Sequence, residues 1–164
     1  MDDAHDGDYA REPQVEDVVR ICQALNERSA RYLLIGGFAV IAHGGARTTK
    51  DIDLLIDASP ANLTRVKAAL GVLADNAAAG IADNDVERYT VVRVADEVVV
   101  DLMARACGLD YDAAMQDVEY VDIDGVSIPV ASPATLIRTK DTIRPSDAAD
   151  RAFLRKVLDA RGPR

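Results

Sequence analysis

Hydrophobic and polar positions follow two different periods along this chain, and the changes of period mark the predicted elements. Apolar residues recur every three or four positions over residues 15–25 and 63–73, which predicts two amphipathic helices. Short runs that are apolar or strictly alternating predict strands. The predicted strands cover residues 32–35, 51–56, 88–94, 98–103, 119–123 and 126–130.

Two pairs of turn residues connect these elements. Gly36-Gly37 ends the first predicted strand and leads into a short helical pattern over residues 38–42. Asp124-Gly125 separates the last two predicted strands by two residues, which is a favoured arrangement for a hairpin. The pattern around Gly36 therefore predicts a strand, a short helix and a second strand in succession.

Acidic residues interrupt two of the predicted strands. Asp51, Asp53 and Asp57 fall on one face of the second strand by alternation, while the residues between them form an apolar face. Asp101 stands alone in the apolar run over residues 98–103. Carboxylates two residues apart repel each other and raise each other's pKa. A divalent cation such as Mg²⁺ removes this repulsion, because it binds carboxylates together with phosphate oxygens.

A salt bridge is the alternative explanation for acids in hydrophobic strands. Unpaired buried carboxylates are costly, so a cation of some kind must compensate them. Arg47, Lys50 and Arg105 are the candidate side-chain partners. We favour the metal, because carboxylates with perturbed pKa values cluster at functional sites.

The Gly-Gly pair predicts a phosphate site next to these acids. The first backbone N–H groups of a helix have no partner within the helix and can receive a phosphate. We expect a triphosphate to lie against Gly36, Gly37 and Phe38, since a residue without Cβ allows close approach. Arg47 and Lys50 precede the acids and either contact phosphate oxygens or belong to a solvated loop.

Composition restricts the class of protein. The chain has 164 residues, 49% of them hydrophobic, which suits a single domain over residues 12–164 after a disordered acidic tail over residues 1–11. The formal net charge of −9 argues against broad nonspecific nucleic-acid binding. No apolar run is long enough to span a membrane, and two widely separated cysteines give no disulfide or metal pattern, so we expect a cytoplasmic protein.

The combination of Gly36-Gly37, Asp51-Ile52-Asp53 and Asp101 resembles the signature of the nucleotidyltransferase superfamily, whose fold is shared with DNA polymerase beta. The run over residues 43–53 is similar to AbiEii-like abortive-infection toxins and to lincosamide-type antibiotic nucleotidyltransferases. The resemblance implies an α+β fold in which helices flank a mixed sheet. It also implies an NTP, ATP by default, over the Gly-Gly pair, and Mg²⁺ or Mn²⁺ held by the three acids.

Further roles come from the same resemblance and from the chemistry of phosphoryl transfer. Lys140 resembles a family lysine that contacts the nucleotide, although an exposed helix lysine is an equal alternative. Many family members have Gly-Ser where this chain has Gly37-Phe38, so one hydroxyl contact to phosphate is absent. Asp51 and Asp53 would bridge two metal ions, and Asp101 would complete the site beside the incoming hydroxyl.

The sequence therefore predicts a metal-dependent enzyme that moves a nucleoside monophosphate from an NTP to an acceptor. The acceptor is an RNA end, a protein side chain or a small molecule, and a role in toxin–antitoxin or phage defence, with a cognate antitoxin as partner, is suggested by the resemblance alone. The alternative is a catalytically silent nucleotide-binding or partner-binding module of the same fold. The nearby Gly-Gly pair disfavours a metal-dependent sugar transferase, and Leu55 disfavours a haloacid-dehalogenase phosphatase.

Overall fold

One mixed β-sheet carries the fold in the computed structural model, which describes residues 10–162. The sheet has six strands in the order β3-β4-β2-β1-β8-β7, and a small second sheet pairs β5 with β6. The strands are β1 (Tyr32–Ile35), β2 (Asp51–Ile56), β3 (Val92–Ala95), β4 (Val99–Met103), β5 (Arg105–Ala106), β6 (Leu109–Asp110), β7 (Glu119–Ile123) and β8 (Val126–Val130).

Seven α-helices accompany the sheet in the described part of the chain. They are α1 (Val15–Glu27), α2 (Gly36–Ala42), α3 (Pro60–Leu70), α4 (Asp85–Arg88), α5 (Tyr111–Ala114), α6 (Pro133–Thr139) and α7 (Pro145–Arg161). Two 3₁₀ turns, Ala77–Gly80 and Met115–Asp117, complete the structure. The architecture is the α+β arrangement of a mixed sheet with flanking helices that the sequence predicts.

The central strands run in both directions, and this arrangement decides which side chains meet. Strand β2 is antiparallel to β1 and parallel to β4, and β3 is antiparallel to β4. In these pairs Asp53 lies opposite both Ile35 and Asp101, and Arg93 lies opposite Asp101 from the other side. Opposed residues point to the same face of a sheet, so these side chains share one face.

The two faces of β2 differ as the alternation predicts. Ile52, Leu54 and Ile56 are fully buried and form part of the hydrophobic core. Helices α1 and α3 pack against each other, whereas α2, α6 and α7 form a second group. Asp53 points toward this second group, because its carboxylate lies against Gly36 at the start of α2. The acids thus face a cleft between the sheet and the second group of helices.

Four predicted strands have the observed bounds, and the predicted start of a fifth strand is wrong. The strands over residues 32–35, 51–56, 119–123 and 126–130 have the predicted bounds. The predicted strand over residues 88–94 begins late, at Val92, because backbone N–H groups of Arg88 and Tyr89 donate to carbonyls four residues earlier and close the helical turn α4.

The predicted tail over residues 1–11 lies outside the described residues except for its last two positions. Of these, Arg11 donates its backbone N–H to the carbonyl oxygen of Glu97, and its guanidinium pairs with Asp17 and Glu97. The body of the fold therefore already includes Arg11. No helix among the described residues combines the length and the hydropathy required to cross a membrane.

Candidate active site

Three carboxylates predicted from the sequence come together on the sheet. Asp53 and Asp101 are opposed in the parallel β2–β4 pair, and Asp51 lies two positions before Asp53 on the same face. One oxygen from each of the three side chains lies within 4.8 Å of the others. Asp101 is buried, and Asp51 and Asp53 are half-buried. Hard oxygen donors at this spacing match the preference of Mg²⁺ or Mn²⁺, so the residues fit a divalent cation.

Asp57 does not belong to this cluster, although the alternation places it on the same face. Strand β2 ends at Ile56, and the buried Asn62 side chain binds the backbone beyond it by donating to the carbonyl oxygen of Asp57. The Asp57 carboxylate instead pairs with Arg31 and accepts the backbone N–H of Ser59. Asp57 lies just beyond the strand, and alternation predicts the face of a side chain only as far as the ladder extends.

The electrostatics of the acidic triad, Asp51, Asp53 and Asp101, are those of crowded like charges. Burial, followed by the fields of Asp51 and Asp101, raises the pKa of Asp53 to about 7. Burial and the neighbouring Asp101 also raise the pKa of Asp51. The charged forms of Asp51 and Asp53 are therefore disfavoured, and a divalent cation would favour them.

The side-chain partner of the triad is Arg93, which the sequence analysis did not identify. Its Nε and Nη2 atoms donate to the two oxygens of Asp101, each at 2.9 Å, and Nη2 also donates to Asp51 at 3.2 Å. The β3–β4 hairpin could have identified Arg93 from the sequence. Pairing outward from a turn near Asp96 sets Arg93 opposite Asp101.

The three cations considered as partners in the sequence analysis lie elsewhere. Arg47 pairs with Asp150 on α7, and Arg105 pairs with Glu87. Lys50 is exposed, and it has no ion pair with any residue between 10 and 162. The acids therefore have an arginine partner, but it is none of the expected ones.

The two glycines at the start of α2 have separate packing reasons. Gly36 has φ of +72°, and a Cβ there would lie 2.1 Å from Oδ2 of Asp53. A Cβ on Gly37 would lie 2.8 Å from the Thr49 side chain, and Gly37 and Phe38 are both buried. Of the two glycines, Gly36 lines the cavity beside the acids, and the placement of a triphosphate against Gly37 and Phe38 stays a prediction.

Lys140 is a buried residue and not an exposed helix lysine. It follows α6, and its Nζ lies 3.0 Å from Asp150 and 3.6 Å from Asp147. Asp150 also binds Arg47, so this ion-pair network joins α7 to the loop that precedes β2. The positive charge of Lys140 reaches the triad, where it opposes the rise in the pKa of Asp53.

A cavity of about 290 Å³ unites these groups. Its lining includes Gly36, the triad, Arg93, Lys140 and Arg144. A larger cavity of about 420 Å³ lies beyond the end of β2 around Asp57 and Tyr111, and none of the triad borders it. The smaller cavity therefore brings together three acids on the sheet and three cationic side chains around them.

The fold of this chain is the nucleotidyltransferase fold, which defines its structural class. Two solved structures share the fold. The lincomycin-bound lincosamide antibiotic adenylyltransferase LnuA has a TM-score of 0.59 and 15% identity, over 90% of this chain and 99% of that chain. A Thermotoga maritima protein proposed to be a nucleotidyltransferase has a TM-score of 0.51 and 13% identity, over 92% of this chain and 98% of that chain.

The family follows from the sequence itself. The model of the nucleotidyl transferase AbiEii toxins of type IV toxin–antitoxin systems matches residues 22–152, and the chain belongs to this family. The match contains both glycines, all three acids and Lys140. A comparison with curated proteins gives no match. The resemblance drawn from the Gly-Gly pair and the acids is thereby confirmed.

Proposed function

We propose that this nucleotidyltransferase is metal-dependent and that Asp51, Asp53 and Asp101 hold the cation. The observation that carries the proposal is the convergence of three carboxylate oxygens within 4.8 Å on two adjacent parallel strands. Their charges are partly compensated by one contacting arginine, so a divalent cation would be bound by a site that already disfavours its own negative charge. Mg²⁺ or Mn²⁺ fits these donors.

The bound cation would stabilise charge on the reacting phosphate and orient it for in-line displacement. The residues around it supply position and charge. Lys140, held by Asp147 and Asp150, presents a fixed ammonium to the cavity that contains the triad. Its burial restricts its movement, which favours a role in placing a phosphate oxygen. Asp101 lies on β4, the strand of the triad that is adjacent to β3, and it would lie beside the incoming hydroxyl.

The start of α2 is the proposed position of the triphosphate. The backbone N–H groups of Gly36, Gly37 and Phe38 belong to the first turn of that helix, where helical N–H groups lack helical acceptors. Gly36 borders both the cavity and Asp53, so a phosphate there would also reach the cation. Arg47 and Lys50 remain proposed nucleotide contacts, Arg47 at the cost of its pair with Asp150.

We propose ATP as the default nucleotide and leave three classes of acceptor for experiment: an RNA end, a protein side chain and a small molecule. The family name supports a role in a toxin–antitoxin system and hence a cognate antitoxin as partner. LnuA, which shares the fold and is a lincomycin-bound lincosamide adenylyltransferase, supports a small-molecule acceptor.

Pyrophosphate release tests this function. The protein is incubated with each of the four NTPs, Mg²⁺ or Mn²⁺, and panels of RNA, protein and small-molecule acceptors. Asp53→Asn is the test variant, and Asp57→Asn is the matched control, since Asp57 lies four positions later but outside the triad. We expect release in the wild type and the control and none in Asp53→Asn. Equal release from Asp53→Asn would refute the assignment.

A further inference from the structure

The guanidinium of Arg93 occupies the oxygens that a cation would use. It takes both oxygens of Asp101 and Oδ2 of Asp51 at distances of 2.9 to 3.2 Å. The antiparallel β3–β4 register aims it there, because Arg93 lies directly opposite Asp101. Planar guanidinium groups suit such paired carboxylate contacts, which also fix the orientation of the carboxylate.

The burial of the two partners is unequal. The Asp101 side chain is 7% exposed, whereas the Arg93 side chain is 58% exposed. A buried carboxylate loses much of its stabilisation when its partner is removed, so Asp101 requires a cation at all times. An exposed guanidinium is rehydrated easily when it leaves. The release of the Arg93 guanidinium to solvent therefore costs little free energy when another cation takes its place.

The other cations of the cavity are less free to take this part. Lys140 is buried between Asp147 and Asp150, and Arg144 pairs with Asp147. Among the described residues, Arg93 is the one cation in direct contact with the triad. Two positive groups on the same oxygens repel each other, so the arginine contacts compete with a bound metal ion.

We propose that Arg93 is the resident counter-cation of the triad and that it acts in three steps. It keeps Asp51 and Asp101 in ligand position, and it then releases them when the divalent cation binds. Finally, it pairs with the phosphates of the nucleotide. Arg93 is thus a positioning residue for the acids before loading. The first two steps concern the metal alone, and the last step rests on the proposed function.

Metal binding without nucleotide tests the first two steps. Calorimetric titration with Mn²⁺ compares wild type, Arg93→Gln and Arg93→Lys with Arg105→Gln as matched control, because Arg105 is an equally exposed arginine paired outside the triad. Arg93→Gln loses both the orienting contacts and the competing charge, and because the guanidinium occupies the ligand oxygens themselves the charge effect should dominate and tighten Mn²⁺ binding by about tenfold. We expect an intermediate value in Arg93→Lys and no change in the control. Unchanged or weaker Mn²⁺ binding in Arg93→Gln overturns the proposal.

The wild-type protein gives a second readout that needs no folded variant. The Arg93 Nε–H group donates to Asp101, so its proton should exchange slowly with solvent in the metal-free protein. In ¹⁵N–¹H spectra of the arginine Nε–H groups, Mg²⁺ should accelerate that exchange. A proton that stays protected at saturating Mg²⁺ shows that Arg93 keeps its carboxylates and overturns the proposal.

The last step predicts that Arg93→Gln changes the affinity for nucleotide in the opposite direction from the affinity for Mn²⁺. With Mg²⁺ and a non-hydrolysable ATP analogue, Arg93→Gln should bind the analogue about tenfold more weakly, although it binds Mn²⁺ more tightly, since a phosphate contact is lost. Changes in the same direction for both ligands indicate a merely structural arginine and overturn the proposal. If the wild type binds no nucleotide, the proposed function and the last step fail together, and the Mn²⁺ titration still decides the counter-cation role.

Discussion

Two carboxylate clusters in this protein have opposite electrostatic characters. Asp17 and Glu97 lie between α1 and the β3–β4 turn with two arginines, Arg11 and Arg20. Arg11 donates to both oxygens of Asp17 at 2.7 and 2.6 Å, and this pair lowers the pKa of Asp17. In the triad, burial and like charges raise the pKa of Asp53.

The difference lies in how many cations each cluster contains. Two arginines serve two carboxylates near the N-terminus, whereas Arg93 alone contacts the triad among the described residues. Balanced clusters stabilise the fold by themselves. A cluster left with excess negative charge gains stability from a ligand that supplies the missing positive charge, which is the property expected of a metal site.

The largest contrast should appear in activity. Loss of a residue that only supports a metal ligand typically lowers activity about 10- to 100-fold, so Asp53→Asn, which replaces a proposed ligand, should lower the transfer rate by more than about 100-fold. Folded Asp17→Asn protein should retain the wild-type rate, because Asp17 is not part of the cavity lining. Pyrophosphate release by both variants at low temperature measures the contrast. Comparable losses in the two would abolish it.

The free energy of unfolding should distinguish the two variants in the opposite sense, since Asp17→Asn should be the destabilised one. Asp17→Asn removes charged hydrogen bonds from a buried acceptor and should destabilise the protein by about 2 kcal/mol. Urea unfolding of metal-free wild type and variant gives the value. An unchanged unfolding midpoint would mean that the arginine pairs contribute nothing net to the fold.

Asp53→Asn should stabilise the metal-free protein, since it removes one charge from a repelling cluster at nearly constant shape. The pKa of Asp53 is raised from 3.8 to about 7, and one unit of such a shift alone corresponds to about 1.4 kcal/mol, so the gain above pH 7 should be at least about 1 kcal/mol. Thermal melts in a chelating buffer measure it. A lower melting temperature would instead assign Asp53 a salt-bridge role and contradict its assignment as a metal ligand.

The pH dependence of stability also separates the two clusters. Because the folded-state pKa of Asp17 is lowered, its contribution to stability is complete above the ordinary value of 3.8 and is lost as pH falls through the folded-state value. Asp53 behaves oppositely: its folded-state pKa of about 7 makes the metal-free fold lose stability as pH rises from about 4 to 7. The advantage of Asp53→Asn over wild type should therefore shrink between pH 8 and pH 5. A constant difference would contradict this.

Local patterns in the sequence predicted the parts of the fold that depend on neighbouring residues. The hairpin at Asp124-Gly125 is confirmed, with φ of 52° and 81° at the two turn residues. The meeting of Asp51, Asp53 and Asp101 was also predictable, because each acid interrupts an apolar strand, where aspartate is unfavourable.

Features that depend on distant segments were not predictable in the same way. Lys140 is buried because two aspartates of α7 fold back onto it, and no local pattern reports that contact. The Asp57 carboxylate binds Arg31 and the backbone N–H of Ser59, and the alternation of β2 does not report those contacts. Arg93 is the exception, since its pairing with Asp101 follows from a nearby hairpin and could have been derived from its register.

The melting temperature of wild type and Asp53→Asn with each NTP, in the presence and absence of Mg²⁺, tests the central claim most directly. A ligand at 100 times its dissociation constant contributes about 2.7 kcal/mol, which corresponds to a shift of roughly 5–10 °C for a chain of this size. We predict that the wild type shifts with Mg²⁺ alone and shifts further when an NTP is also present, and that Asp53→Asn shows neither shift. No shift of the wild type with any NTP, or an equal shift in Asp53→Asn, would contradict the assignment of the triad as the metal and nucleotide site.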